Sequence, residues 1–266
     1  MLSEVFFNIV SKKNHLINSN DLYIVIVVQF MHAFIYLISC MDKLSIANVV
    51  DFRNRSAASQ VTLINNLKKT KDPEKKEEGG NYWVSCLSAI KNSLKQDSSI
   101  PIEEKIVKLE ETLETEDKHI NKVRWQRNLD ILHRFEDYDF SQLQPKTEFT
   151  ILKGLDEKAP LIIQGLAIKI TPDYIVSFKE NGIKKIGAVL FVGKIKQFKK
   201  EDLALFNDAL YRYVSKNKGE DFQISKQLCV VVDFMNLNIL KYSDLSSGKI
   251  SSKLDATLKD IKKLTG

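Results

Sequence analysis

The first candidate for chemistry is a set of basic side chains beside an aromatic one. Lys122, Arg124, Trp125 and Arg127 fall within a single predicted helix. Basic groups contact phosphates and an aromatic ring stacks on a base, so these residues form a candidate nucleic-acid-binding site. Lys196, in the second half of the chain, is added to this set. The competing interpretation is a solvated helix whose Trp125 packs into the core, which is the commoner origin of such a pattern.

A second candidate is the segment Gly79-Gly80-Asn81-Tyr82-Trp83. A flexible Gly-Gly loop followed by two aromatic residues could clamp a ligand. Trp83, however, shares helical spacing with Leu87 and Ile90, and this favours a position in the core. Asn81 is the expected N-cap of that helix.

Composition and motif content leave few other chemistries. The cysteines Cys40, Cys86 and Cys229 form no C-x-x-C pair and the four histidines are scattered, so neither a disulfide framework nor a zinc site is expected. No phosphate-binding, dinucleotide-binding, hydrolase or EF-hand motif is present. We therefore expect no cofactor, except Mg²⁺ or Mn²⁺ under the nuclease alternative below. A net charge of +6 permits contact with phosphates or anionic lipid and requires neither.

The elements that must position these residues fall into two regions. Residues 41–140 have helical periodicity, with an exposed charged connection at 71–80, Pro101 in the first turn of a helix and a break near Thr115. Residues 145–266 form a mixed α/β domain. The predicted fold class is therefore α+β, with a helical N-terminal region followed by a mixed, hairpin-rich sheet flanked by helices.

The predicted strands of the second region define the sheet. Leu161–Ile170 is expected to be one strand, and Asn181-Gly182 is a strong hairpin turn. The return strand is predicted over 185–196, with an apolar run at 186–192 that indicates a central strand buried on both faces. The remaining predicted elements are strands at 149–152, 174–178, 228–234 and 238–242, and helices at about 201–215 and 254–264.

This order of elements resembles the core of the PD-(D/E)xK nuclease-like superfamily, which implies a restriction-endonuclease-like fold. Active members hold a divalent metal with an Asp near the second strand and a Glu-x-Lys on the third. The resemblance points to Asp173 and Lys194 as candidate catalytic residues, and Asp233, at the end of a buried strand, as a substitute acid. The departure is that Val192 stands two positions before Lys194, where the second carboxylate is expected. The resemblance therefore implies a degenerate, non-catalytic site, and Asp173 has a competing interpretation as a turn former.

The layout from Met41 onward also resembles a family of uncharacterised bacterial proteins with a helical first half and an α/β second half. The stretches that carry this resemblance are Gly79–Trp83, Lys122–Leu129, Pro172-Asp173 and Ile186–Lys194. The family implies no established activity, and it is suspected of belonging to phage-defence or mobile-element settings.

Residues 1–40 form an apolar extension, and Leu22–Cys40 is just long enough to cross a bilayer. Three interpretations compete: a membrane anchor, a lipoprotein signal with Cys40 as the lipidated residue, and a translated upstream region before a true start at Met41. We favour the third, which predicts a cytoplasmic protein.

Three functions follow from these observations. The first is a non-catalytic, nuclease-like protein that binds nucleic acid or a protein partner. The second is a metal-dependent nuclease with a rearranged site formed by Asp173, Asp233 and Lys194. The third is a structural or interaction protein tethered to a membrane through residues 22–40.

Overall fold

The computed structural model describes residues 44–69, 82–154 and 161–265. Its α-helices, numbered α1 to α8 in chain order, are Ile46–Arg53, Ala57–Lys68, Val84–Gln96, Ile100–Thr115, His119–Phe135, Lys200–Lys218, Tyr242–Ser246 and Leu254–Thr265. Its strands, β1 to β7, are Phe149–Ile151, Leu161–Ile163, Leu166–Ile168, Tyr174–Glu180, Ile183–Val192, Gln223–Asp233 and Asn238–Lys241. The mixed α+β class and the helical break after Thr115 are therefore confirmed.

The main sheet has five strands in the order β1-β4-β5-β6-β7. Strands β4 and β5 are antiparallel and meet at Asn181 and Gly182, whose φ angles of 52° and 78° suit a tight hairpin turn. Strand β5 is parallel to β6, and α6 supplies the connection between them. Strand β7 returns antiparallel to β6. The predicted hairpin and the predicted central strand are both confirmed.

The prediction of one strand over Leu161–Ile170 is wrong. The segment forms a separate hairpin of β2 and β3, which pair only with each other. Gln164 and Gly165 are its turn residues, with φ angles of 54° and 78°. These are nearly the values at Asn181 and Gly182, but Gln rarely occupies the left-handed region, so the sequence signal was weak.

Helices α3, α4 and α5 pack on one face of the main sheet, whereas α1 contacts α6 and α8. Val189, Phe191, Val230 and Val232 point to this face and share a hydrophobic core with α3, α4 and α5. Leu190 and Val231 are also buried, on the alternate side of the same strands, where α6 crosses the sheet. The same core includes Phe140 and Leu143, which lie in a short 3-10 turn between α5 and β1. The two predicted regions are thus joined by one core.

Several predictions fall outside the described residues. These are the apolar stretch at 22–40, the charged connection at 71–80, and the proposed N-cap Asn81. The N-cap position of α3 is occupied by Trp83. Among the helices that are described, none combines the length and apolar character that a bilayer-spanning helix requires.

Candidate nucleic-acid interface and carboxylate positions

The basic residues of α5 surround one tyrosine. The Arg124 guanidinium carbon lies 5.8 Å from the centroid of the Tyr82 ring and 4.8 Å from that of Trp125. The Arg127 guanidinium lies 5.9 Å from the Tyr82 centroid, and its Nη1 donates a 3.3 Å hydrogen bond to the Tyr82 hydroxyl. Both arginines are therefore within cation–π range of aromatic rings. We call Tyr82, Arg124, Trp125 and Arg127 the basic–aromatic cluster.

Asn128 fixes the position of this cluster. Its side chain is fully buried, and its Nδ2 donates to the carbonyls of Tyr82 and Arg124 at 3.1 and 2.9 Å. Its Oδ1 accepts from the backbone N–H of Cys86 at 3.2 Å, one of the donors that the first turn of α3 leaves without a helical partner. One amide therefore ties α5 to the start of α3, and so holds Tyr82 beside the arginines.

Trp125 was interpreted from the sequence either as a residue that stacks on a base or as a core residue. Its ring packs against the hydrophobic core and is only partly buried. The other face of this part of α5 is open, because Lys122 is exposed and Arg124 and Arg127 are half-buried. The Nε of Arg124 is buried without a hydrogen-bond partner among the described residues, and the Nη1 of Arg127 is bonded to Tyr82.

Aromatic contacts connect the cluster to the end of the sheet. The rings of Tyr82 and Trp83 have centroids 4.5 Å apart, and Trp83 lies 6.0 Å from Phe234. The Phe234 ring covers Gly193 so closely that a Cβ on that residue would lie 2.1 Å from the ring. Gly193 directly follows β5. We call this edge, where β5 and β6 finish, the carboxyl end of the sheet.

The placement of Lys194 and Lys196 on the return strand is wrong. Strand β5 ends at Val192, and residues 193–199 form an irregular connection to α6. The chain leaves the sheet at Gly193, where the Phe234 ring fills the space that a side chain would need. Lys194 is half-buried and Lys196 exposed in this connection. Both lysines nevertheless lie after the carboxyl end of β5, the edge at which functional residues of open α/β sheets collect.

The Asp173 carboxylate is held by two protein donors. Its Oδ2 accepts a 2.8 Å hydrogen bond from the backbone N–H of Phe191, and its Oδ1 lies 2.5 Å from the Lys91 ammonium. Its own N–H donates to the carbonyl of Val189. Asp173 thus extends the β4–β5 ladder with its side chain. Lys91 was not singled out from the sequence, where nothing connects this α3 residue with a carboxylate 82 positions later.

Asp233 is also engaged within the protein. It is fully buried, its Oδ1 accepts from the N–H of Met235 at 3.0 Å, and its Oδ2 accepts from the Asn236 amide at 2.9 Å. Burial raises the pKa of the Asp233 carboxyl above its ordinary value, and the hydrogen bonds to Asn236 and Met235 oppose that rise. The competing interpretation of Asp233, as a residue that satisfies backbone donors at a strand end, agrees with these contacts.

The two acids lie on strands that are not neighbours. Asp173 directly precedes β4, Asp233 ends β6, and β5 lies between these two strands. At about 4.8 Å per strand, their backbones are roughly 10 Å apart across the sheet. The oxygens of both carboxylates are engaged by partners within the protein, and within the described residues no contact joins the two acids. Within the described part of the chain, no group of three or more His, Cys, Asp or Glu residues has the arrangement of a metal site.

Comparison with protein-family models, with curated proteins and with solved structures gave no match to this chain.

Proposed function

We propose that this protein binds nucleic acid without cleaving it, through the carboxyl end of the sheet and the basic–aromatic cluster. The observation that carries the proposal is the arrangement around Tyr82. Two arginines are pre-positioned on its ring, and a line of aromatic contacts leads from it to the lysine-bearing connection after β5. Arginines held in this way lose little side-chain entropy when they bind a phosphate.

The exposed lysines extend this surface. Lys122 is on the same helix as the arginines, and Lys196 follows the carboxyl end of β5. Trp125 is half-buried, and the Arg124 guanidinium lies 4.8 Å from the centroid of its ring. Aromatic and basic groups in one patch suit a single strand, whose bases are free to stack while its phosphates contact the cations.

The state of the two carboxylates supports binding rather than catalysis. Asp173 uses both oxygens to hold a strand edge and Lys91, and Asp233 uses both oxygens to hold the turn after β6. The element order in β1, β4, β5, α6 and β6 is that of an antiparallel meander, a crossing helix and a parallel strand. This order is consistent with a degenerate nuclease-like ancestry, which is part of the proposal.

The test is a salt titration of the full chain with a labelled 20-nucleotide single strand. The variant Arg124→Gln with Arg127→Gln removes two cations. We expect binding to weaken roughly tenfold, and the slope of log K against log salt to become shallower by about 1.4, since each single-strand phosphate contact contributes about 0.7. The matched control is Lys108→Gln with Lys259→Gln, two exposed lysines on α4 and α8 with the same change in charge.

Because both arginines contact Tyr82, thermal unfolding of the double variant must be measured as well. Lys122→Gln removes an exposed cation on the same helix and has no packing to disturb. A salt slope that changes equally in the control and in the arginine variant would overturn the proposal.

A metal-dependent nuclease is the second candidate. Of the two acids, Asp173 is the one that keeps some exposure, 14% of its side chain, and Lys91 is the cation beside it. The test is incubation of labelled DNA and RNA with the full chain and Mn²⁺. Cleavage that is lost in both Asp173→Ala and Lys91→Met would establish this candidate. Products that persist in both variants would point to a contaminating nuclease.

A further inference from the structure

An open groove lies at the opposite edge of the sheet, where β5 and β6 begin. It has a volume of about 700 Å³ and is formed by the ends of β4 and β7, the starts of β5 and β6, and the chain that follows the 3-10 turn. Lys146, Lys185, Lys226 and Lys241 are on its wall, and Glu180 is the acid among its lining residues. We call this the lysine groove, and this edge of the sheet the amino end.

The charge of the groove is largely uncompensated. Glu180 pairs with Lys185. Within the described part of the chain, Lys146, Lys226 and Lys241 have no ion-pair partner, and Lys146 and Lys226 are exposed. Four lysines less one glutamate give the lining a formal charge of +3, half of the +6 carried by the entire sequence. The lining of the groove is therefore distinctly positive.

We propose that the lysine groove binds the phosphodiester backbone of a nucleic acid, as a second contact beyond the basic–aromatic cluster. This inference rests on the proposed function for the class of ligand, but it concerns a different surface. Lysines are point charges that contact phosphates without reading sequence, and the lining supplies amide and hydroxyl groups such as Gln223 and Ser225 that donate to phosphate oxygens. A strand that reaches both edges would be held at two places.

The experiment compares two variants of the full chain with the same labelled 20-nucleotide single strand. Lys146→Gln with Lys226→Gln removes two exposed cations of the groove, and Lys108→Gln with Lys259→Gln is again the charge-matched control. We expect the groove variant alone to bind roughly tenfold more weakly at physiological salt, with a salt slope shallower by about 1.4. Unfolding midpoints of both variants should stay close to that of the unmodified chain, since these lysines are exposed.

A footprint separates this inference from the proposed function. Acetylation of Lys146, Lys226 and Lys241 is measured with and without the strand, in the unmodified chain and in the Arg124→Gln, Arg127→Gln variant. Protection of these lysines in both proteins would support the groove, even if the arginine variant bound as tightly as the unmodified chain and so overturned the cluster. Unchanged acetylation, or equal binding by the groove variant and the control, would overturn the groove while leaving the cluster intact. If a 20-residue polyglutamate protects these lysines from acetylation and the nucleic-acid strand does not, the inference is overturned and the groove is a site for an acidic peptide.

Discussion

The two ends of the sheet use their charged residues in opposite ways. At the carboxyl end, Asp173 and Asp233 accept hydrogen bonds from backbone N–H groups. Asn128, in the helical layer, does the same for Cys86. At the amino end, the lysine groove carries three cations without an ion-pair partner in the described residues. The first arrangement stabilises the fold, whereas the second adds little to stability and leaves its cations available to an anion.

This difference shows why chemically suggestive residue types are a poor guide to binding surfaces. The acids that resemble catalytic residues have their hydrogen-bonding capacity used inside the protein. The lysines that form the groove belong to no motif. Substitutions at the carboxyl end should therefore change the free energy of unfolding, and substitutions at the amino end should change it little.

The largest loss in the free energy of unfolding is expected on substitution of Asn128. The Asn128→Leu variant leaves the Cys86 N–H and the Tyr82 carbonyl buried without their partner. Each such group costs about 1–3 kcal/mol, so we expect a loss of roughly 3 kcal/mol in urea unfolding. Gln126→Leu, an exposed position on the same helix that bonds only Asp130, is the control and should change the free energy by less than about 0.5 kcal/mol. Equal losses in both variants would contradict the role given to Asn128.

The second largest loss in the free energy of unfolding is expected on substitution of Asp173. Asp173→Ala removes the acceptor of the Phe191 N–H and the partner of Lys91, and the side chain is only 14% exposed. Hydrogen bonds to charged groups contribute about 1.5–3 kcal/mol, so a loss of about 2 kcal/mol is expected in urea unfolding. Lys91→Met should lose less, because it leaves the hydrogen bond to Phe191 in place. If Asp173→Ala is as stable as the unmodified chain, the structural role of this acid is refuted.

A pH-dependent effect is expected at Asp233. Because burial raises the pKa of this carboxyl in the folded state, the folded state holds its proton more tightly than the unfolded chain does. The contribution of Asp233 to stability is therefore fully present below the unfolded pKa of 3.8 and is lost as the pH rises through the folded pKa. The stability of the unmodified chain relative to Asp233→Asn should increase as the pH falls from 7 toward 4. The measurement is urea unfolding of both proteins at several pH values, and a constant difference would exclude the effect.

The smallest effect is expected at the amino end. The Glu180 side chain is half exposed and pairs with Lys185. Exposed ion pairs contribute about 0.2–1 kcal/mol, so Glu180→Gln should lower the free energy of unfolding by less than about 1 kcal/mol, and less still at high salt. The same substitution raises the charge of the lysine groove and should tighten binding of a single strand. A loss as large as that of Asp173→Ala would mean that the two ends do not differ as described.

Prediction from sequence succeeded where the signal is local. The Asn181-Gly182 turn and the apolar run of β5 were recognisable because positive φ and burial on both faces each favour particular residue types. The β2–β3 hairpin was missed because Gln is not a residue type that predicts a left-handed turn, although Gln164 adopts a φ of 54°. The end of β5 was misplaced because Lys194 and Lys196 continue the alternation of a strand in sequence, and the contact of Phe234 with Gly193 joins residues 41 positions apart.

The sequence by itself determined the α+β class, the succession of strands in the main sheet, and the basic character of α5, since these depend on periodicity and residue type. Only the tertiary structure decided which charged groups meet. It paired Lys91 with Asp173, stacked Arg124 and Arg127 on Tyr82, and gathered four lysines from separate segments into one groove. The physical reason is that hydrogen bonds and Coulomb interactions act over a few ångströms in space, and proximity along the chain does not fix that distance.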